Sequence, residues 1–333
     1  MVAKVATAPV SAPAKPAALA ALSALLPLLR ELNDLKRGRV AGLAGSLAEQ
    51  SFARAWAALV AGTDPAAVAR RETAHALAGV RLPGYDVALL TSLGMDEPVA
   101  QTALTNALRD AGRPVDAGLL TELAEALAAP AETPGAVPAF VARLAQQPRA
   151  GATHPGRPRI MLWPPESHAD HCLLVAVYAV LLSPVFGADP AEAFLTGLAH
   201  HLHNAVLPDP GYAGDELLGA ALPGLMAQAT AQALQQLPAA LRPVIQAALD
   251  RTRTLDHPAS QAFHAADVFD RVLEMAWHDQ SAQFRLHQAL GDLDIVHAGF
   301  TQQFHQQVLG AAGLWPPEQD SAEEAVLAST HGT

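Results

Sequence analysis

A chain of 333 residues has room for two domains of ordinary size or one large one. Half of it is hydrophobic, aromatics are few, Ala and Leu abound, and Val and Ile do not fall into alternating runs, which selects helices packed on helices over sheets. The formal net charge is −11 and the basic residues are scattered, with only small clusters such as Lys36-Arg37-Gly38-Arg39. The basic stripe of a nucleic-acid binder is missing, so neither a nucleic-acid nor a membrane partner is expected. One cysteine, Cys172, excludes an intrachain disulfide and a cysteine-based zinc site. It is expected as a small packed residue, and a cytoplasmic location fits.

Residues 1–15 are Ala, Pro and Val with little pattern and read as a disordered tail. The apolar run Ala17 to Leu29 has the length of a signal core, but it continues into "RELNDLKRG" at helical spacing and is too short to span a bilayer. It is therefore expected as the first amphipathic helix, about 16–36. Further helices follow at about 40–61, from Asp64-Pro65 to Gly79, from Asp96 to Gly112, and over "DAGLLTELAEALAA" and "VPAFVARLAQQ". These make a helical domain over 16–148 that offers no chemistry of its own. Homo-oligomerisation is one role open to it.

Residues 149–165 form the expected linker, in a stretch with five prolines from Pro148 to Pro165. Helices resume at about 166–183, 189–206, 215–235, 238–254, 258–285 and 293–311. A second domain is thus expected over 166–312, with a flexible tail over 313–333. The fold class expected is all-α. Of the fourteen histidines, only His75 precedes the linker, where an even scatter would place about six. The second half uses imidazole.

Three apolar helices there carry the polar residues that matter. "ESHADHCLLVAVYAVLL" places Glu166, Asp170 and His171 on its opening turns, with His171 one turn before Leu174 and Val175. "AEAFLTGLAHHLHNAVLPD" sets His200 and His201 deep in an apolar helix, with His203 on the face of His200. "SQAFHAADVFDRVLEMAWH" spaces His264, Asp267 and Asp270 at helical intervals. A buried imidazole tolerates burial when neutral and partnered, whereas a buried Asp is costly unless paired or bound to a metal. Taken together, His171, His200, His201 and Asp267 point to a metal site in a helix bundle. Imidazole and carboxylate suit a divalent transition metal: Mn, Fe, Co, Ni or Zn.

From Trp163 to Phe304 the chain resembles the HD-domain metal-dependent phosphohydrolase superfamily, and within it the 5′-deoxynucleotidase-like branch. The resemblance rests on Glu166-Ser167-His168-Ala169-Asp170-His171-Cys172 preceded by Trp163. It rests also on "GLAHHLHN" in the place of the paired His-Asp, and on "AADVFDRVLE" with Asp267. It implies an HD-type helical bundle, preceded here by a separate N-terminal helical domain. It implies metal ligands at His171, His200, His201 and Asp267. Two departures stand out. His201 replaces the signature Asp, which removes a bridging carboxylate and favours a mononuclear over a dinuclear centre. Asn204 replaces a glutamate that helps activate water, and an amide takes no proton at neutral pH. Asp209, Asp215 or Glu216 could substitute, with Asp209 first among them.

The function this implies is metal-dependent hydrolysis of a nucleotide or other small phosphate ester by a metal-activated water. Asp209 and Asn204 are then the candidate catalytic positions, and Arg157 and Arg159 the candidate phosphate-binding donors. The alternative is a non-catalytic HD-like scaffold or signalling module with a degenerate site. An iron-dependent oxygenase would call on extra histidines such as His203, His257 or His264.

Overall fold

The computed structural model describes residues 16–129, 135–279, 286–291 and 294–315, all-α, with no strand among them. The first half supplies α1 (Pro16–Asn33), α2 (Leu47–Ala61), α3 (Pro65–Arg81), α4 (Val87–Ser92), α5 (Glu97–Ala111), α6 (Ala117–Ala128) and α7 (Ala139–Gln146). The second half supplies α8 (His168–Phe186), α9 (Pro190–Ala199), α10 (Gly211–Leu218), α11 (Leu222–Leu234), α12 (Leu241–Arg251), α13 (Pro258–Asp279), α14 (Leu286–Gly291) and α15 (Gln302–Ala311). Of the helix starts read from sequence, Asp64 accepts the Ala67 N–H at the start of α3, whereas Asp96 stands at the N-cap of α5 with no side-chain hydrogen bond; Asp116, at the start of α6, accepts the Leu119 N–H.

α8 is apolar on every face, and a helix of that kind is a buried one. Every residue from His168 to Ser183 is buried. α9 and α13 from the second half pack on it, and so do α1, α2, α3 and α7 from the first. Tyr178 on α8 donates its hydroxyl to the Leu29 carbonyl at the end of α1, 2.7 Å away. Trp56 of α2 meets Phe140 of α7 edge-on, 4.9 Å between centroids. The apolar core is one cluster running from Leu22 to Leu314. The expected division at 149–165 is therefore not a gap in the core: both halves bury the same helix.

The 149–165 stretch is also more than a spacer. Arg149 N donates to Glu166 O, and Ala152 and Ile160 exchange backbone hydrogen bonds of 3.1 and 2.9 Å. This folds the segment back over the opening of α8. Gly151 sits at φ +74 with its Cα so close to the Ile160 carbonyl that a Cβ would lie 2.3 Å from that oxygen.

Several expected elements differ: the helix expected from about 40 begins only at Leu47, capped by Ser46. The helix expected to 206 stops at Ala199, and a 3-10 turn follows over Leu202–Ala205. The helix expected over 215–235 is two, broken at Gly219, whose φ of 51 and ψ of −128 suit glycine alone. The helix expected over 293–311 begins only at Gln302. The tail expected from 313 begins with buried Leu314, and Trp315 packs on the core. The tails at 1–15 and beyond 315, and the end of the 258–285 helix after Asp279, lie outside the described residues.

Candidate metal centre

The opening of α8 is fixed by a capping box: Ser167 accepts from the Asp170 N–H, and the Asp170 carboxylate accepts from the Ser167 N–H. Asp170 also accepts from the Ser46 hydroxyl at the start of α2. Burial, together with the Glu49 charge, pushes its carboxyl up to about 7. Asp170 is thus spent on the helix start. This leaves His171, on the next position round the helix, facing α9 and α13.

His171 is fully buried. Its Nδ1 lies 2.6 Å from Asp270 Oδ2. A carboxylate only accepts, so Nδ1 carries a proton, and in the neutral ring Nε2 presents a lone pair. His200 stands at the C-terminal end of α9, with Nδ1 2.7 Å from the Gly197 carbonyl. The helix ends just before His200, at Ala199. By the same logic His200 Nε2 is a bare lone pair. It lies 3.1 Å from His171 Nε2. Asp267, from the middle of α13, sets Oδ1 at 3.3 Å from His171 Nε2 and 4.0 Å from His200 Nε2. Its Oδ2 accepts from Arg271, 2.6 Å away.

Three acceptors therefore converge on one point with no donor among them. Two ligands each about 2.1 Å from one ion lie roughly 3.0–3.4 Å apart in octahedral or tetrahedral geometry. The two short separations fall in that span. Electrostatics agree. Burial, and next the charge His171 would carry, hold His200 well below the usual imidazole range, so it is neutral. Burial opposes ionisation of Asp267, but Arg271, His171 and His200 outweigh it and hold the carboxyl well below its usual range.

His201 is brought beside His171 and His200, as expected of a ligand, but its ring nitrogens are already engaged. Its ring stacks obliquely beside His200, 4.2 Å between centroids, and a ligand nitrogen lies within 4.8 Å of those of His171 and His200. Its Nδ1, however, donates to Asn204 Oδ1 at 2.8 Å, and its Nε2 accepts from Arg149 Nη1 at 2.8 Å. Unlike the other three, its lone pair already has a donor. Asn204 spends its own Nδ2 on the Leu207 carbonyl.

The convergence point opens into a cavity of about 320 Å³. Arg149 and Arg271 line it, and so do Asp209, Asp215, Tyr212 and His297. Tyr212 and His297 stack at 4.4 Å. Asp209 reaches the cavity, as expected of a catalytic carboxylate, but both oxygens accept backbone N–H groups, from Ala150 at 3.0 Å and Gly211 at 2.9 Å. Burial would raise its pKa, yet Arg149 and these hydrogen bonds hold it below the usual range. Asp215 has the opposite shift: burial, then the Asp209 and Glu216 charges, raise it. The expected phosphate ligands Arg157 and Arg159 are both exposed and outside the cavity lining; Arg159 donates to the Pro210 carbonyl. They sit in the part of the 149–165 segment that faces solvent. The Trp163 of the resemblance is 83% exposed.

Two functional features escaped the sequence reading. One is Arg149, which lay in the presumed spacer. The other is Lys36, from the 3-10 turn after α1. It is buried with its Nζ 2.5 Å from Glu166, 2.8 Å from Asp270 and 3.4 Å from Glu274. His203 is partly buried beside His201, and His257 is largely exposed beside Glu192. His264 is buried against His305, 5.9 Å between rings. None of these three histidines lines the cavity. Compared with known proteins, the chain matches no family model, no curated protein and no solved structure.

Proposed function

We propose that this protein is a metal-dependent phosphohydrolase acting on a small phosphate ester, a nucleotide among them. The observation that carries the reading is the convergence of His171 Nε2, His200 Nε2 and Asp267 Oδ1 at the floor of a cavity walled by two arginines. The order of motifs that resembles HD-domain enzymes supports the same class. A divalent transition metal held by those three atoms would polarise a phosphoryl oxygen and lower the pKa of water.

The chain's own residues supply the rest. Asp270 fixes the His171 tautomer and raises its basicity, as outer-sphere carboxylates do for metal-bound imidazoles. Arg149 and Arg271 offer planar, permanently charged donors to the non-bridging oxygens of a phosphate. Asp215, with its raised pKa, is the better candidate to accept a proton; Asp209 serves instead to order the Ala150 and Gly211 backbone at the rim. Tyr212 and His297 form an aromatic face suited to a planar group on the ester.

The test is hydrolysis of p-nitrophenyl phosphate and of nucleoside monophosphates, with Mn, Co, Ni or Zn supplied in turn, by wild type and by His200→Ala. Metal-dependent release of phosphate by wild type alone is expected. A second reading, a metal-binding module without turnover, is favoured by the amide at Asn204 and by the fully occupied Asp209. Under it, metal binds and no ester on the panel is cleaved.

A further inference from the structure

Beside the three-acceptor point lies a second group whose ligand atoms approach one another as a metal site's would: Glu166, His171 and Asp270, all buried. It is not open. The Lys36 ammonium sits within it, against Glu166 at 2.5 Å and Asp270 at 2.8 Å, with Glu274 at 3.4 Å. The side chain enters from the opposite half of the sequence, 130 residues from Glu166. Lysine is almost never fully buried unless paired, and here three carboxylates pair it. Arg37, from the next position, takes the other oxygen of Glu274 at 2.6 Å. The carboxylates on Lys36 therefore belong to no surface network: Lys36 is the cation they share, while Glu166 also lies 3.8 Å from Arg149 and Glu274 also meets Arg37 and His278.

We infer that the Lys36 ammonium is a built-in second cation, occupying the position beside the transition-metal site where a second divalent ion would otherwise bind. Glu166, Asp270 and Glu274 offer oxygens only, and His171 turns its N–H, not a lone pair, toward Asp270. Oxygen donors of that kind suit a hard divalent ion such as Mn²⁺. The first half of the chain thereby completes the centre. Lys36 neutralises Asp270, and Asp270 orients His171.

The inference rests on the metal reading above for its meaning but not for its test. Mn²⁺ uptake is measured by equilibrium dialysis and elemental analysis on the full chain. The proteins are wild type, Glu274→Gln, Lys36→Ala, Lys36→Ala with Glu274→Gln, and Lys36→Ala with His200→Ala. Lys36→Ala is expected to hold one more equivalent than wild type. Glu274→Gln should weaken that extra equivalent at least tenfold, and His200→Ala should leave it in place. A folded Lys36→Ala protein with no more Mn²⁺ than wild type overturns the inference. So does a wild type that already carries an equivalent removed by Glu274→Gln. If Lys36→Ala is unfolded in metal-free buffer, recovery of its helical circular dichroism in Mn²⁺ supports the inference, and no recovery overturns it. Failure of the metallohydrolase reading appears separately, as a wild type that binds nothing.

Discussion

Replacing Gly197 by alanine should damage the candidate metal centre without touching a candidate ligand. Gly197 lies where α9 crosses α8 most closely. A Cβ there would stand 2.6 Å from Ala176 Cα, 2.7 Å from Ala176 N and 3.0 Å from the Val175 carbonyl carbon. These are backbone atoms, so no side chain can swing aside. Ordinary contact begins at 3.4 Å, so α9 must retreat by about 0.8 Å. His200 is three residues further on and hangs from the Gly197 carbonyl, so it moves with the helix. Its separation from His171, now 3.1 Å, would grow toward about 3.9 Å, beyond the roughly 3.0–3.4 Å that two ligands on one ion span. Overpacking of this kind costs about 1–3 kcal/mol of stability. The expected loss of metal affinity is about tenfold or more, equivalent to about 1.4 kcal/mol. The assays are urea denaturation of the metal-free protein and competition for metal against a chelator. Gly224→Ala is the control: it lies within α11 with nothing near its missing Cβ, and should stabilise by about 0.5–1 kcal/mol. If Gly197→Ala matches that control in stability and binds metal like wild type, the packing argument is refuted.

Further outcomes can be checked alongside. Arg149→Met should raise the KM for a phosphate ester about tenfold, the effect of roughly 1.4 kcal/mol, while Arg157→Ala and Arg159→Ala leave it unchanged. Burial pushes the Cys172 thiol well above its usual range, so iodoacetamide at pH 8 should spare the native protein and label it in urea. Burial also lowers His203, His264 and His297 to about 4, and His168 and His305 to about 3. The unfolded chain takes up these protons near pH 6.5, the folded chain only near 3–4. Their contribution is therefore complete above about pH 6.5 and is lost as pH falls toward 4, so the urea midpoint should drop across that window. Asp170, raised to about 7, opposes the trend, as do Glu166 and Asp215, also raised, while His200 and His201, held well below their usual range, add to it. A midpoint that rises on acidification from pH 7 to 5 would contradict the assignment of these histidines as buried and neutral.

The chain made some of this legible and hid the rest for identifiable reasons. His171, His200 and Asp267 could be read because each is a costly residue on an otherwise apolar helix, and three such helices need one another. His201 could not be ranked against His200 by spacing. The end of α9 at Ala199 and the 3-10 turn after it leave one ring toward His171 and the other against Arg149. Lys36 sat in a basic cluster that reads as a solvated face, and nothing local announces three carboxylates more than a hundred residues away. Arg149 was masked by proline-rich surroundings that read as a spacer. The shared core escaped notice because the apolar faces of α1 and α2 do not declare their partner, and that partner is chiefly α8.

The most direct test is elemental analysis of wild type, purified without a histidine tag or added chelator, beside the double variant His200→Ala, Asp267→Ala. The account predicts about one equivalent of transition metal bound at the His171, His200 and Asp267 centre, lost in the variant. Wild type that holds no metal, even after incubation with Mn, Fe, Co, Ni and Zn, would contradict it.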